Sequence, residues 1–560
     1  MKEEIENVLK EITKEEIIQI DIPENTSFGD YSSNIAMIMA KKKGKNPHTL
    51  AEEIVAKLQV KKNIKLSFEK IDVAGAGFIN FYIAKNVLLQ NLKKVDNMYG
   101  NSSFNEGKTT IVEYSSPNIA KPFTIGHLRS TIIGDAVANL LEASGWKVFR
   151  DNHLGDWGTQ FGKMIYAIKT WGDEEKISKL DNPVKELVTL YVKFHEEAEK
   201  NIKLEDEGRK WFKKLEEADP EAKRIWKKCV DWSFVEFDRI YKILNVSFSK
   251  EFENGRGLGE SFFESRMSGV ISELEEKKLL KLGKEGAKLV FFEKDKYPPA
   301  MIIKKDGATL YHTRDLATDK YRLEKYNPDL IINEVGSEQT LYFRQLFEME
   351  KLLGWFKEGQ RIHLGHGLYR FKEGKMSTRK GNVIWMEDVL KEAIEKATKL
   401  GSKGKISKIV AIGALKYNDL KRDPKTEIVF DWNEILNMNG NSGPYLQYTF
   451  ARTQSVLAKS KNTNKVYDEI NINNEEDVIL RAIVHFPEVV LISSLNFSPN
   501  LLCSYLFELA SKFNTFYNKY SILTNKDESV TSFRLSLTKS TGQILKNGLK
   551  LLGIEAPERM

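Results

Sequence analysis

Two short stretches hold residue types suited to phosphate chemistry. The first is Thr124-Ile125-Gly126-His127 and the second is Lys375-Met376-Ser377-Thr378-Arg379-Lys380-Gly381-Asn382. An imidazole such as His127 can donate to a phosphate oxygen where negative charge grows. Gly126 beside it would let a base or ribose lie close to the backbone. Lysines and glycines crowd the chain from Gly365 to Gly381. Two acids stand apart from these stretches. Glu113 ends a β-branched run, and Asp315 lies in Tyr311-His312-Thr313-Arg314-Asp315, where Tyr311 and Asp315 share a face if the segment is helical. Taken singly, a histidine in a loop more often has a structural role, and a lone acid more often sits in a salt bridge. The case rests on their combination.

The element that must position the first stretch is residues 109–145. Thr109 to Val112 reads as a strand, Ser115-Ser116-Pro117-Asn118 breaks it, and Ile132, Ile133, Val137, Leu140 and Leu141 fall on one helical face ended by Gly145. Strand, loop, helix is the opening unit of a nucleotide-binding α/β domain, in which ligands bind where strand ends meet helix starts. Unpaired N–H groups at the helix entrance suit a phosphate. Further strands are expected at 146–150, 288–292, 301–303 and 330–336, with Ser337-Glu338-Gln339 leaving the last of these where a ligand would lie. Residues 1–107 read as a separate small α/β module ending in a polar linker, and 183–250 as a charged helical insertion. Two helical stretches follow Lys391, and 441–560 reads as a helical bundle.

With 560 residues, two to four domains are expected. A composition of 41% hydrophobic and 29% charged residues suits a soluble globular protein. No apolar run approaches the roughly 20 residues needed to span a bilayer, and the charged N-terminal stretch does not read as a signal peptide. Two distant cysteines, Cys229 and Cys503, cannot form a disulfide framework or a four-thiolate zinc site, which fits a reducing cytoplasm. The net charge of +7 permits a polyanionic partner without requiring one.

Together the I-G-H and K-M-S words resemble the H-I-G-H and K-M-S-K-S signatures of class I aminoacyl-tRNA synthetases. The surrounding words S-S-P-N-I-A-K-P-F and G-H-L-R-S-T resemble the arginyl-tRNA synthetases specifically. So do G-D-Y-S-x-N and G-x-G-F-I-N in the first hundred residues, and the resemblance spans nearly the whole chain. It implies a multidomain α/β plus all-α protein. A tRNA-contacting N-terminal domain would span 1–107. A Rossmann-type parallel-sheet catalytic domain would span 108–390 with its helical insertion at about 183–250. A helical connecting segment (391–440) and an anticodon-binding helical bundle (441–560) would follow.

The implied activity is that of an arginine–tRNA ligase. ATP and arginine form an adenylate, and the arginyl group passes to a ribose hydroxyl at the 3′ end of tRNA(Arg). Arginine presents a planar fork of donors that never loses its charge, so a specific site needs carboxylates facing it. The resemblance assigns Glu113, Tyr311 and Asp315 to the guanidinium, and Ser116, Asn118 and Gln339 to the rest of the amino acid. It assigns Pro117, Asn118, Ile119, Ala120, Lys121, Pro122, Phe123, Thr124, Ile125, Gly126, His127, Lys375, Met376 and Ser377 to ATP. Within that set Lys121, Thr124, Gly126, His127 and Lys375, together with Lys380, serve catalysis. No side-chain nucleophile is needed, because the protein positions groups and stabilises charge. Mg²⁺ would accompany the ATP, and no zinc is expected. Tyr445, Tyr448, Tyr517 and Met560 are implied near the anticodon loop, where exposed aromatics stack on splayed bases. Phe513 and Phe516 read as core. The family implies a monomer of the cytoplasm with no membrane attachment.

Two departures stand out. Thr124 replaces the first histidine of H-I-G-H, and Thr378 followed by Arg379 replaces the second lysine of K-M-S-K-S. The resemblance to arginyl enzymes implies that a lysine just ahead of H-I-G-H substitutes, and Lys121 occupies that place, with Lys380 or Arg379 as alternatives. The rival readings are a synthetase for another amino acid, argued against by the paired acids and the scarcity of cysteine, and a catalytically silent RNA-binding paralogue.

Overall fold

A computed structural model describes every residue except 24, 284–285, 306, 372–383 and 461–469. At its centre is a four-stranded parallel sheet in the order Arg361–His366, Leu330–Gly336, Thr109–Glu113, Lys147–Asp151. The two middle strands are almost wholly buried, as expected of a parallel sheet covered on both faces. Register places Glu113 beside Asp151 on one side and Asn333 on the other, so polar side chains line up at the C-terminal ends.

The helix Ile125–Ala143 leaves the first strand's loop and is buried along nearly its full length. Its close approach explains Gly134: a β-carbon there would meet Tyr114 Cβ at 2.2 Å. The helical layer starts upstream of the expected insertion, with Thr159–Trp171 packed on Lys203–Glu216, and continues through Pro183–Lys200 and Pro220–Leu244. The sequence reading missed this early start because 159–171 lacks the charged outer face of the later helices. The segments 280–282, 288–290 and 300–303 form their own antiparallel sheet, separate from the parallel one. Two expected strands are therefore real but lie outside the nucleotide layer, and the edge strand Arg361–His366 completes that layer.

The N-terminal module is a three-stranded antiparallel sheet, with Phe78–Ile83 between Tyr31–Ser33 and Phe68–Ala74, packed against helices. Met386–Lys399 and Lys405–Leu420 connect to a bundle of Gly443–Ala458, Asn474–Leu495, Pro499–Lys519 and Glu528–Leu551. Asn474–Leu495 is long and apolar enough to cross a membrane, a property the sequence reading overlooked. Here it is a bundle helix that packs on the 499–519 and 125–143 helices. It also holds the N-terminal module: Tyr31 donates to Glu488 at 2.8 Å, and Arg481 pairs with Asp30.

Candidate active site

The loop leaving Glu113 is held in a costly shape. Ser115, Ser116 and Ala120 all have positive φ, at 71°, 43° and 58°. Non-glycine residues adopt this only when their surroundings over-determine it, and such strain gathers at functional sites. The determinants are visible. The Ser115 N–H donates to Ser130 Oγ at 2.9 Å, the Ser116 N–H to Asn152 Oδ1 at 3.0 Å, and the Ala120 N–H to Ser233 Oγ at 2.9 Å. The Ser116 hydroxyl is buried with no partner in the structure.

At the strand ends lies a cluster of charges. Arg322, from the helix Tyr311–Tyr326, donates to Glu113 at 2.5 Å, Asp151 at 2.6 Å and Asp319 at 2.9 Å. Arg361 also pairs with Asp319. Glu113 is thus not a free carboxylate. One oxygen is taken by Arg322, and the other has no hydrogen-bond partner among the described residues. Burial pushes its carboxyl up, but Arg322 and His153 more than offset this and hold it below the usual range. Asp315, one turn before Asp319, differs. It accepts from the Tyr342 hydroxyl, faces His153 Nε2 at 3.9 Å and has no arginine or lysine partner among the described residues. Burial pushes its carboxyl up against the opposing effect of His153. Glu113, Asp151, Asp315 and Asp319 therefore face two guanidiniums and one imidazole, which leaves surplus negative charge beside a partly open carboxylate.

The structure brings Glu113 and Asp315 to one site through their shared neighbour His153. Tyr311 opens the same helix but is 65% exposed. Gln339, in the short turn after Leu330–Gly336, and Asn118 are also exposed.

The Thr124 to His127 stretch forms the start of the long helix. His127 Nδ1 accepts from the Thr124 N–H at 3.0 Å, half of a reciprocal cap, so the neutral ring carries its proton on Nε2. Burial, then the repulsion of Lys121, pushes this imidazole down to about 4. It is a neutral donor whose Nε2 has no partner among the described residues. A β-carbon on Gly126 would meet only Thr124 Oγ1, at 3.4 Å, so internal packing does not demand glycine there. Lys121 is exposed beside Ala120, Gln160 and Tyr191.

Lys375, Met376, Ser377 and Lys380, with Thr378 and Arg379, lie outside the described residues. Their flanks are informative. The Ile125 N–H donates to the Ile384 carbonyl at 3.3 Å, and the Met386 N–H to the Phe123 carbonyl at 2.9 Å. On the other flank, Arg129 of the same helix donates to the Gly367 carbonyl at 2.7 Å. Gly367 upstream of 372–383 and Ile384 and Met386 downstream are thus tied to the helix Ile125–Ala143 or to the loop that leads into it.

In the bundle, Tyr448, Tyr517 and Met560 line one open groove and are 41%, 37% and 40% exposed. Arg452 lies over both tyrosine rings, at 5.0 and 4.8 Å. Tyr445 is half-buried and accepts from Asn514 at 3.0 Å. Phe513 and Phe516 are fully buried. The sequence reading missed His153, Arg322 and Tyr342 in the acid cluster. His153 stood in the polar turn Asp151-Asn152-His153-Leu154-Gly155-Asp156, but Arg322 and Tyr342 were indistinguishable from ordinary helix residues. Among the described residues no group of three or more His, Cys, Asp or Glu is arranged to hold a metal ion.

A parallel-sheet nucleotide domain with an I-G-H helix start, a helical connection and a helical bundle define a class I aminoacyl-tRNA synthetase. The family model for the catalytic domain of class I tRNA synthetases (R) matches residues 86–432, that for the arginyl tRNA synthetase N terminal domain 1–83, and that for the DALR anticodon binding domain 446–560. The chain belongs to the arginyl-tRNA synthetase family. It is 41% identical over 578 residues to an arginine–tRNA ligase of Clostridioides difficile, covering 99% of each chain. It is 40% identical over 554 residues to that of Clostridium botulinum, covering 97% of this chain and 96% of the relative. It superposes on the arginyl-tRNA synthetase of Plasmodium falciparum with a TM-score of 0.81 at 26% identity, over 99% of this chain and 97% of that one. It shares the fold of the Thermus thermophilus arginyl-tRNA synthetase, with a TM-score of 0.84 at 22% identity over 100% and 99% of the two chains.

Proposed function

We infer that this chain activates L-arginine with ATP and transfers the arginyl group to the 3′-terminal ribose of tRNA(Arg), releasing pyrophosphate and AMP, for use in translation. The observation that supports this best is the surplus of carboxylates at the sheet ends, where Asp315 has no guanidinium partner. A substrate guanidinium would supply the missing cation. Its planar fork would bond Asp315 and the unoccupied oxygen of Glu113, while Arg322 holds Glu113 in orientation. The buried Ser116 hydroxyl, with Asn118 and Gln339, would take the α-amino and carboxylate ends, and Tyr311 would close over the side chain.

In the first step the arginine carboxylate attacks the α-phosphate and pyrophosphate leaves. We assign the Nε2–H of His127 and the backbone at Gly126 to the phosphates, with Lys121, Lys375 and Lys380 supplying positive charge. Thr124 would act by capping the helix and fixing the tautomer of His127. Mg²⁺ would arrive on the ATP phosphates as part of the substrate. Tyr445, Tyr448, Tyr517 and Met560 would bind the anticodon loop. The two free, buried cysteines suit a reducing cytoplasm, and we propose a monomer that acts there without a membrane. ATP–pyrophosphate exchange with arginine, with and without tRNA, tests the reading. Exchange is expected with arginine, and its absence under both conditions would favour a catalytically silent RNA-binding protein.

A further inference from the structure

The helix Pro220–Leu244 closes the insertion and backs the I-G-H loop. Ser233 Oγ takes the Ala120 N–H, and the Phe123 ring packs on Phe237 and Tyr241, with centroids 5.8 Å apart in each case. Glu236, one turn from Ser233 and beside Phe237, is fully buried. Among the described residues only Glu236 and Glu350 have both carboxyl oxygens buried without a hydrogen bond. Arg361 Nε stands 2.7 Å from Glu350. Glu236 has no ion pair among the described residues, because its neighbour Arg239 pairs with Glu387 instead. The Phe123 N–H faces the Glu236 carboxyl but falls short of hydrogen-bond geometry.

Arg239 shows the complementary deficit. Its Nη1 donates to Glu387 at 2.6 Å, while Nε and Nη2 are buried without a hydrogen bond. Glu387, in the first turn of the helix Met386–Lys399, also accepts from Asn182 at 3.2 Å and pairs with Lys185 at 3.3 Å. Met386 beside it donates its N–H to the Phe123 carbonyl. An unpaired acid and the unpaired edge of a guanidinium thus lie one helical turn apart, next to the two segments that meet at Phe123. The charged groups facing Glu236 are Arg239 on its own helix, Glu387 on Met386–Lys399 and Lys185 on Pro183–Lys200. Burial outweighs the Phe123 N–H and both cations and pushes the carboxyl up to about 7, so it changes charge near neutrality. The unpaired arrangement is that of the neutral acid, since a buried carboxylate demands its donors.

We propose that Glu236 is a positioning residue for ATP, which on ionising draws in the Phe123 N–H and the unpaired edge of Arg239 and so clamps the I-G-H loop to the start of the helix Met386–Lys399. It rests on the assignment of that loop to ATP made above. A charged acceptor strengthens both bonds, so the clamp closes as pH rises through about 7. A firmer loop serves bound ATP and the transition state alike, so the effect falls on KM for ATP and leaves kcat nearly unchanged. The folded value lies above the ordinary carboxyl value near 4, so the buried acid costs stability over the same rise in pH.

The test is ATP–pyrophosphate exchange by full-length wild type and Glu236→Gln, with arginine and tRNA saturating, between about pH 6 and 8.5. Glutamine keeps the shape and cannot ionise, and the ratio of the two proteins cancels the titration of ATP itself. The ratio of KM for ATP, variant over wild type, should rise from about 1 at low pH to about 5 or more at high pH, with kcat within about twofold. Its midpoint should lie near 7. The melting temperature of wild type should fall relative to that of Glu236→Gln over the same range. If Glu236→Gln does not fold, Arg239→Gln, which removes the cation and leaves the acid, should lose the same gain in KM at high pH. A ratio that stays flat or falls with pH in a folded variant would overturn the proposal. Unchanged exchange by His127→Ala would instead overturn the assignment of this loop to ATP. No exchange by wild type at any pH would overturn the functional reading beneath both.

Discussion

Nε2 of His153 stands 3.9 Å from Oδ1 of Asp315, buried and without a hydrogen bond, while Nδ1 lies 3.1 Å from the Leu258 carbonyl. Glu113, Asp315, Glu260, Asp151 and Asp156 face this imidazole as acids, and Arg322 faces it as a cation. Burial pushes the ring down, but Glu113 and then Asp315 reverse this and hold it above the usual histidine value. On the proposed reading, in which a substrate guanidinium binds Glu113 and Asp315, His153 would partly occupy that cation's place in the free protein. A guanidinium arriving between the same two acids lowers the affinity of His153 for its proton, so arginine binding should release a proton. The competent form has His153 deprotonated, so affinity falls as pH drops through the raised value. Calorimetric titration of arginine in buffers of different ionisation enthalpy should show release approaching one proton in mildly acidic buffer. The arginine Kd should rise up to about tenfold per pH unit there. His153→Asn should flatten the profile. A wild-type Kd independent of pH between about 6 and 8 would reject the linkage.

Asp315→Asn should weaken arginine binding by about 3 kcal/mol, roughly 10²-fold, because it removes the charged partner of a buried cation. The melting temperature should hold or rise, since burial already disfavours this carboxylate and no arginine or lysine pairs with it. A large loss of stability with arginine affinity intact would show that Asp315 serves the fold alone.

The contrast with Arg322 marks what the sequence could and could not reveal. Glu113 and Asp315 were legible because they sit in recognisable words at a strand end and near a helix start. That one would be bonded by Arg322 and the other left to Tyr342 depends on the packing of helices 311–326 and 340–353, which no local pattern encodes. Likewise the buried run Leu330–Gly336 announced a central strand. The segments 288–290 and 300–303 had the same texture but formed a separate antiparallel sheet, because strand pairing is a tertiary choice. The tie between Ile125 of the I-G-H word and Ile384, far along the chain, likewise appears only in three dimensions.

Arg322→Leu should cost about 3–5 kcal/mol of stability, because it leaves Glu113 and Asp151 buried and uncompensated. The same cluster sets acid sensitivity. Glu113 and Asp319 are held below their ordinary values, by arginines that outweigh burial, so their contribution is full above the unfolded values near 4 and is lost as pH falls through the folded ones. Urea melts of wild type should therefore weaken below about pH 4, and Arg322→Leu should show less of that dependence. Equal pH dependence in the two proteins would contradict this assignment.

Lys121→Ala should lower the rate of adenylate formation by roughly 10²-fold if it supplies the charge that Thr378 lacks. Because Lys121 is one cause of the low value of about 4 for His127, the same variant should raise it, which NMR titration of the imidazole would read. A rate near that of wild type would return the role to Lys380 or Arg379.

The most direct test is aminoacylation of total tRNA with each of the twenty amino acids in turn. Charging with arginine alone, with lysine rejected by a factor reaching about 10⁴, is the result that a carboxylate-lined site for a forked cation predicts. Efficient charging with lysine, or with any uncharged amino acid, would contradict it.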